Sequence, residues 1–342
     1  MQLLIKKYWR YSLLSLLLLF CFSEKGNAQS TIVEKYGRLS VKGNYIIGEY
    51  GDTVQLRGMS MFWSQWMSQY YNNSTLKWLR DDWKCTVVRA AMGVEHGGYL
   101  ENAFDEKLKI MKMVDAAISL GIYVVIDYHS HDAHNNPEAA KKFFSEMAKK
   151  YSKYPNVLYE IYNEPLQEIS WSRQLRPYSE TIIAAIRQYD PHNIIICGTR
   201  QWSQMVSEAA MNPVRDPNTM YTLHFYAASH KQSLRDEALK ALKQGVAIFV
   251  TEFGTCEHTG DGFLDYVETQ QWFDFMDEHK ISWCNWSVSD KAETASILKA
   301  GARYTGKWKE TDLTPSGLFI RNELIEKNGP IFNSLRAPDP KK

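Results

Sequence analysis

The chain has 342 residues, 44% of them hydrophobic and 23% charged, with a formal net charge of +1. That length holds one large domain or two small ones, and the apolar share suits a globular core. The near-neutral balance gives no basic field for nucleic acid and no acidic tail.

At the N-terminus, Lys6, Lys7 and Arg10 precede an apolar run over residues 13–22, and Gly26, Asn27 and Ala28 follow. This is a secretory signal pattern, with cleavage expected after Ala28, and the run is too short for a comfortable membrane span. Cys21 follows bulky Phe20, which argues against a lipoprotein signal. The expectation is a signal peptide over 1–28, one domain over 29–342, and a secreted or periplasmic protein without membrane contact once the signal is removed.

Residues 31–53 read as a short hairpin region punctuated by Gly37, Gly43, Gly48 and Gly51. Eight apolar strand candidates follow: 54–60, 86–90, 123–127, 157–162, 194–197, 220–225, 247–251 and 282–286. Helical stretches are expected at 104–120, 138–151, 171–189, 233–243 and 262–279. In the first of these, Phe104, Leu108, Met111, Val114 and Ile118 form one stripe, and Gly121 ends it as a C-terminal cap. Eight strands separated mainly by helices point to a single (β/α)8 TIM barrel with an N-terminal β-hairpin. A doubly wound open sheet is the runner-up, weakened because no Gly-rich phosphate loop follows the first strand. Cys85, Cys197, Cys256 and Cys284 are too widely spaced for a disulfide framework or a zinc site. Buried free thiols are expected, with a Cys256–Cys284 bridge left open.

Polar and aromatic residues fall at the strand ends: Arg89, His129, Asn163 with Glu164, His224 with Tyr226, Glu252, and Trp286. Core positions do not tolerate unpaired polar groups, whereas barrel active sites are built on the C-terminal rim of the strands. Glu164 and Glu252 each close an apolar strand. Paired carboxyls at one rim are the chemistry of glycoside hydrolysis. Arg89 is a candidate partner that lowers the pKa of Glu252 as a nucleophile, while Glu164 needs a raised pKa as an acid. Tyr226 is placed to hydrogen-bond the nucleophile, Asn163 a sugar hydroxyl, and His129 and His224 to orient these groups. Trp286 offers a ring floor for one sugar, with Trp63 and Trp66 further along. Two other classes compete. His129, His131, Asp132 and His134 resemble a metal-ligand cluster, but no other strand adds a matching set. A non-catalytic glycan-binding barrel is expected to lack one of the two carboxylates.

The ordered motifs carry a family resemblance. They are Leu56-Arg57-Gly58-Met59-Ser60, Val88-Arg89-Ala90-Ala91-Met92, Val125-Ile126-Asp127-Tyr128-His129, Glu160-Ile161-Tyr162-Asn163-Glu164-Pro165, and Tyr221-Thr222-Leu223-His224-Phe225-Tyr226. Val250-Thr251-Glu252-Phe253-Gly254, Trp286-Ser287-Val288-Ser289-Asp290-Lys291 and Leu313-Thr314-Pro315-Ser316-Gly317 complete the set. The chain resembles glycoside hydrolase family 5, most closely its bacterial endo-β-1,4-glucanases. The resemblance implies a (β/α)8 barrel, a retaining mechanism, no metal and no other cofactor, and a β-glucan polysaccharide as substrate. It makes Glu164 the acid/base and Glu252 the nucleophile, and sets Arg89, His129, Asn163, His224, Tyr226 and Trp286 around the cleaved bond. Lys291 and Glu293 are expected to bind sugar hydroxyls in a neighbouring subsite, with Trp66 stacking there. Phe62 and Trp63 stand where some members carry His and Gly, and Tyr128 where many carry Trp. A monomer is expected. A β-mannanase, xyloglucanase or mixed-linkage β-glucanase of the same family stays open.

Overall fold

The computed structural model describes residues 30–335. The signal sequence read over 1–28 lies outside the described residues. Within them, no helix is long and apolar enough to cross a membrane.

The eight expected strands form a closed parallel barrel in sequence order. They are β1 (Arg57–Met61), β2 (Val87–Gly93), β3 (Tyr123–His129), β4 (Val157–Glu160), β5 (Ile195–Cys197), β6 (Thr219–Tyr226), β7 (Ile248–Gly254) and β8 (Ser282–Val288). Their residues are buried on both faces, apart from the half-buried Tyr226 at the tip of β6. One face meets the packed barrel interior and the other the helices, so the strands read as nearly continuous apolar runs.

The helices are α1 (Asn73–Asp81), α2 (Tyr99–Leu120), α3 (Pro137–Tyr151), α4 (Arg176–Arg187), α5 (Val206–Met211), α6 (Gln232–Lys243), α7 (Tyr266–Glu278) and α8 (Pro315–Ser334). Local chemistry sets several ends. Asn72 Oδ1 accepts from Thr75 N at the start of α1, and Asp265 Oδ1 from Glu268 N at the start of α7. Gly121 closes α2 in the left-handed conformation, as its position predicted. The sequence reading gave no range for α1, α5 or α8.

The buried face of α2 overlaps its predicted apolar stripe only in part: Val114 is buried, and Met111 and Ile118 pack half-buried against the core. Phe104 is 68% exposed and Leu108 43% exposed. Beside Val114 the helix buries Tyr99, Glu106, Ile110, Met113, Ala116, Ala117 and Leu120. Two apolar stripes compete on this helix, and the one with alanines approaches the barrel more closely. Its one charged member, Glu106, is satisfied by the Ser64 hydroxyl and the Lys109 ammonium.

Before the barrel, a short helix (Ile32–Tyr36) leads into a three-stranded antiparallel sheet, one strand more than a hairpin. Val33 N donates to Gly121 O at 3.0 Å and Tyr123 Oη to Gly37 O at 2.6 Å. This unit therefore sits under the N-terminal ends of the strands and leaves the opposite rim open.

Candidate active site

At the C-terminal rim, the barrel register brings together residues remote in sequence. His224 on β6 pairs with Glu252 on β7, and Asp127 on β3 with Glu160 on β4. Asn163 and Glu164 follow β4 where its ladder ends.

Arg89 is the hub. Its side chain is fully buried, and Nη1 lies 2.9 Å from Glu252 Oε2, Nε 2.7 Å from Glu160 Oε2, and Nη2 2.9 Å from Asp127 Oδ2. Nη2 also donates to Asn163 Oδ1 at 2.6 Å. Tyr226 Oη donates to the other oxygen of Glu252 at 2.9 Å. Both oxygens of Glu252 thus face donors, an arrangement made for a carboxylate. The ring of Tyr226 lies against Gly254, where a Cβ would stand 2.3 Å from the ring.

Arg89 does not hold the Glu252 pKa low, contrary to the sequence expectation. Burial is the largest influence and raises it; the charge of Glu164 raises it too, against His224 and Arg89. The physical reason is that Glu252 is buried, and the cost of ionising it there, with the charge of Glu164 added, outweighs what His224, Arg89 and Tyr226 return. Burial likewise pushes Asp127 up, with Arg89 opposing and the other acids adding to it.

The two histidines are set oppositely. His129 Nδ1 lies 2.7 Å from Asp127 Oδ2, and Asn163 Nδ2 approaches Nε2 at 3.4 Å. Burial and the nearby Arg89 charge hold His129 well below the ordinary imidazole value, so it is neutral. His224 Nδ1 lies 2.9 Å from Glu164 Oε1. Burial alone would lower its pKa, but the nearby Glu160 carboxylate, the hydrogen bond to Glu164 and the charge of Glu252 bring it to about 9.

A carboxylate oxygen of Glu164 and one of Glu252 lie within 4.8 Å of each other. They open into a cleft of about 630 Å³ also lined by His131, Gln201, Trp202, Tyr226 and His258. Trp286, 5% exposed, stacks on His129 at 5.2 Å with the rings 5° from parallel. The Trp286–Ser287 peptide bond is cis. Phe62 packs 5.1 Å from Trp286 and 6.4 Å from Trp66, which is 50% exposed. Lys291 Nζ pairs with Glu293 and lies 5.6 Å from the Phe62 ring. Trp66, Lys291 and Glu293 therefore form one patch, joined to the floor through Phe62.

Sequence reasoning did not assign Asp127, Glu160, Thr251 or Trp202, and read His131 only as part of a candidate metal cluster. Asp127 and Glu160 had a signal: a charge inside a buried strand needs a partner. Trp202 had none. It sits in a turn where Gln201, Trp202 and Ser203 all have positive φ without a glycine.

The histidine-rich stretch after β3 does not converge as a metal site. His129 faces Asp127, His131 Nδ1 lies 3.2 Å from Glu164 O, and His134 Nδ1 lies 2.9 Å from Tyr162 Oη. Among the described residues, the three-ligand grouping within metal reach is Glu164, His224 and Glu252. Arg89 already sits on that grouping, where it would repel a cation. All four described cysteines are free and buried.

A model of the cellulase family, glycosyl hydrolase family 5, matches residues 47–292. Endoglucanase A of Evansella cellulosilytica is 47% identical over 316 residues, covering 91% of this chain and 64% of that protein. Endoglucanase Z of Dickeya dadantii is 49% identical over 289 residues, covering 83% and 65%. The chain thus spans somewhat under two thirds of the length of these two curated relatives. A solved structure from Cytophaga hutchinsonii superposes with a TM-score of 0.89 at 64% identity, covering 89% of this chain and 100% of that one. The catalytic domain of a Thermobifida fusca endoglucanase in complex with cellotetraose superposes with a TM-score of 0.83 at 38% identity, covering 86% and 99%.

Proposed function

The chain belongs to the cellulase family, glycosyl hydrolase family 5, and from that premise we propose that it is a retaining endo-β-1,4-glucanase. The observation that carries this reading is the approach of Glu164 and Glu252 to within 4.8 Å across an open cleft. Retaining enzymes hold their carboxyls about 5–5.5 Å apart; inverting ones leave about 6.5–9.5 Å for a water. The open cleft suits an internal segment of a polymer. The cellotetraose bound to the Thermobifida fusca relative supports a β-1,4-glucan.

In this reading Glu252 attacks the anomeric carbon while Glu164 protonates the departing oxygen. Arg89 and Tyr226 orient Glu252 through one oxygen each, leaving a lone pair for attack. A water then attacks the glycosyl-enzyme, and Glu164 takes its proton. Asn163 meets the sugar hydroxyl beside the reacting carbon in this reading, supported by its hold on Arg89. His129 and Trp286 supply the floor, and Trp66, Lys291 and Glu293 hold the next sugar on the nucleophile side. Trp202, in the same cleft as Glu164, is a platform for the departing sugar.

The signal-like residues 1–28 support a secreted or periplasmic protein whose folded domain begins near residue 29. Mature protein beginning at Gln29 is the expected result of N-terminal sequencing.

The deciding experiment follows hydrolysis of carboxymethyl-cellulose beside galactomannan and xyloglucan, with the first-formed product read by proton NMR. Preference for the cellulose derivative and a β-anomeric product are expected. An α-anomer overturns the retaining mechanism, and preference for galactomannan overturns the glucanase reading. Activity that a chelator abolishes overturns the metal-free chemistry.

A further inference from the structure

Beneath Glu164 runs a line of buried hydrogen bonds that the two-carboxylate mechanism does not use. His224 Nδ1 lies 2.9 Å from Glu164 Oε1, and its Nε2 lies 2.9 Å from Thr251 Oγ1. Thr251 donates to Glu160 Oε1 at 2.7 Å. Glu160 is held by Arg89 through Nε at 2.7 Å and Nη2 at 3.2 Å. Thr251, Glu160 and Arg89 have no exposed surface, and His224 has 1%.

Proton counting fixes the direction of each bond. Glu160 takes two N–H groups from Arg89 and one hydroxyl, so it acts only as an acceptor. Thr251 has one proton, and that proton goes to Glu160. The Thr251 oxygen can then only accept, so His224 Nε2 must carry a proton, and the Thr222 hydroxyl that also meets Thr251 is a donor. With Nε2–H pinned, the neutral ring presents the Nδ1 lone pair to Glu164.

We propose that Thr251 and Glu160 are positioning residues that pin the His224 tautomer, so that His224 Nδ1 and Glu164 Oε1 share one proton and the acid stays loaded to higher pH. The proposal rests on the reading of Glu164 as acid/base. Its physical basis is a cost: removing the shared proton leaves a carboxylate facing a lone pair. The elevated pKa of His224 agrees with this.

The surrounding charges do not supply another anchor. Arg89 from β2, Asp127 from β3, Tyr226 from β6, Glu252 from β7 and Cys284 from β8 face this line, with His131 and Glu164 above it. Nε2 lies 3.8 Å from Glu160 itself, too far for a direct bond, so Thr251 is the link.

The protons balance through the cycle. In the first step the Glu164 O–H bond breaks and its proton bonds to the glycosidic oxygen, which leaves with the C1–O electron pair. Glu252 supplies the new bond to C1. Glu164 is then a carboxylate beside neutral His224. In the second step water bonds to C1, the C1–Glu252 bond breaks, and the water's proton returns to Glu164.

Thr251→Val removes the anchor. Its ring can move the proton to Nδ1 and still bond to ionised Glu164, so the pair loses its proton more readily. The basic limb of kcat/KM against pH for cellotetraose is expected to move down by about one pH unit or more. Thr251→Ser is expected to keep the wild-type limb. A dinitrophenyl cellobioside, which needs no acid, is expected to show no such shift in its first step. Glu160→Gln, which weakens the acceptor at Thr251, is expected to move the limb in the same direction. An unmoved limb, or a uniform loss at every pH on both substrates, would overturn the proposal. Histidine nitrogen NMR of the wild-type enzyme gives an independent reading: Nε2–H on neutral His224 supports it, and Nδ1–H overturns it. Failure of the acid/base reading looks different, because Glu164→Ala would then slow cellotetraose and the dinitrophenyl substrate equally.

Discussion

Arg89 Nη1 lies 2.9 Å from Glu252 Oε2, yet the same guanidinium binds Glu160 at 2.7 Å and Asp127 at 2.9 Å. A planar fork with five donors can serve three carboxylates; a lysine ammonium on a flexible stem cannot span them. Arg89→Lys therefore leaves buried acids unpaired. The expected loss of stability is about 3–5 kcal/mol. Activity is expected to fall at least about 10²-fold, since Glu252 loses one of its two donors. Urea unfolding and kcat on carboxymethyl-cellulose check both. Wild-type stability in the variant would mean that the acids beneath the cleft are protonated and need no cation.

Tyr226 bears on the acidic side of the pH profile. Turnover in the proposed mechanism needs Glu252 ionised, so activity falls as pH drops through its pKa. Burial raises that pKa, and the Tyr226 hydrogen bond lowers it. The acidic limb should thus lie above the ordinary glutamate value of 4.5. Tyr226→Phe removes one lowering influence and should move the limb to still higher pH. A hydrogen bond to a charged group contributes about 1.5–3 kcal/mol, or roughly one to two pH units. The measurement is kcat/KM on an aryl cellobioside between about pH 4 and 7. A limb that moves the other way would mean that the phenol is not bonded to the ionised form.

Stability should also depend on pH through His224. Its folded pKa is raised from 6.5 to about 9. A raised folded pKa gives stabilisation that is complete below the unfolded value and lost as pH rises through the folded one. The unfolding free energy is expected to fall between about pH 6.5 and 9, by on the order of 3 kcal/mol from this group. His224→Gln removes the titrating group and should flatten that slope. Urea midpoints at several pH values read it directly. An equal slope in both proteins would place the titration elsewhere.

Much of the barrel was legible because each strand carries its own signal, an apolar run, and six of the eight end in a polar or aromatic residue. Glu164 and Glu252 stood out because each closes such a run. The network below them was harder to see. Asp127 sits inside a buried strand and Glu160 at the buried end of another, where the sequence reads simply as strand. Their role appears only when the barrel curls them around Arg89. The face of α2 was misread because apolar size was weighed above close approach, so Phe104 and Leu108 were placed inside. Trp202 escaped notice because its turn uses left-handed backbone without glycine, and turn reading depends on glycine, proline and asparagine.

The exposed tryptophans give a prediction about direction along the polymer. Trp66 connects through Phe62 to Trp286 and to Lys291, which pairs with Glu293; the proposed mechanism assigns this patch to the nucleophile side. Trp202, 40% exposed, lines the same cleft as Glu164, and the proposed mechanism assigns it to the side from which the protonated sugar departs. An aryl cellobioside places sugar on the first side and only a phenol on the second. Trp66→Ala should therefore lower kcat/KM on both the aryl cellobioside and longer cello-oligosaccharides. Trp202→Ala should lower it only on the longer ones, by about tenfold, the equivalent of about 1.4 kcal/mol. Product sizing from cellopentaose should shift in opposite directions for the two variants, because each removes binding at one end of the chain. Equal losses on both substrates for Trp202→Ala would move that ring to the nucleophile side and reverse the assignment of the cleft.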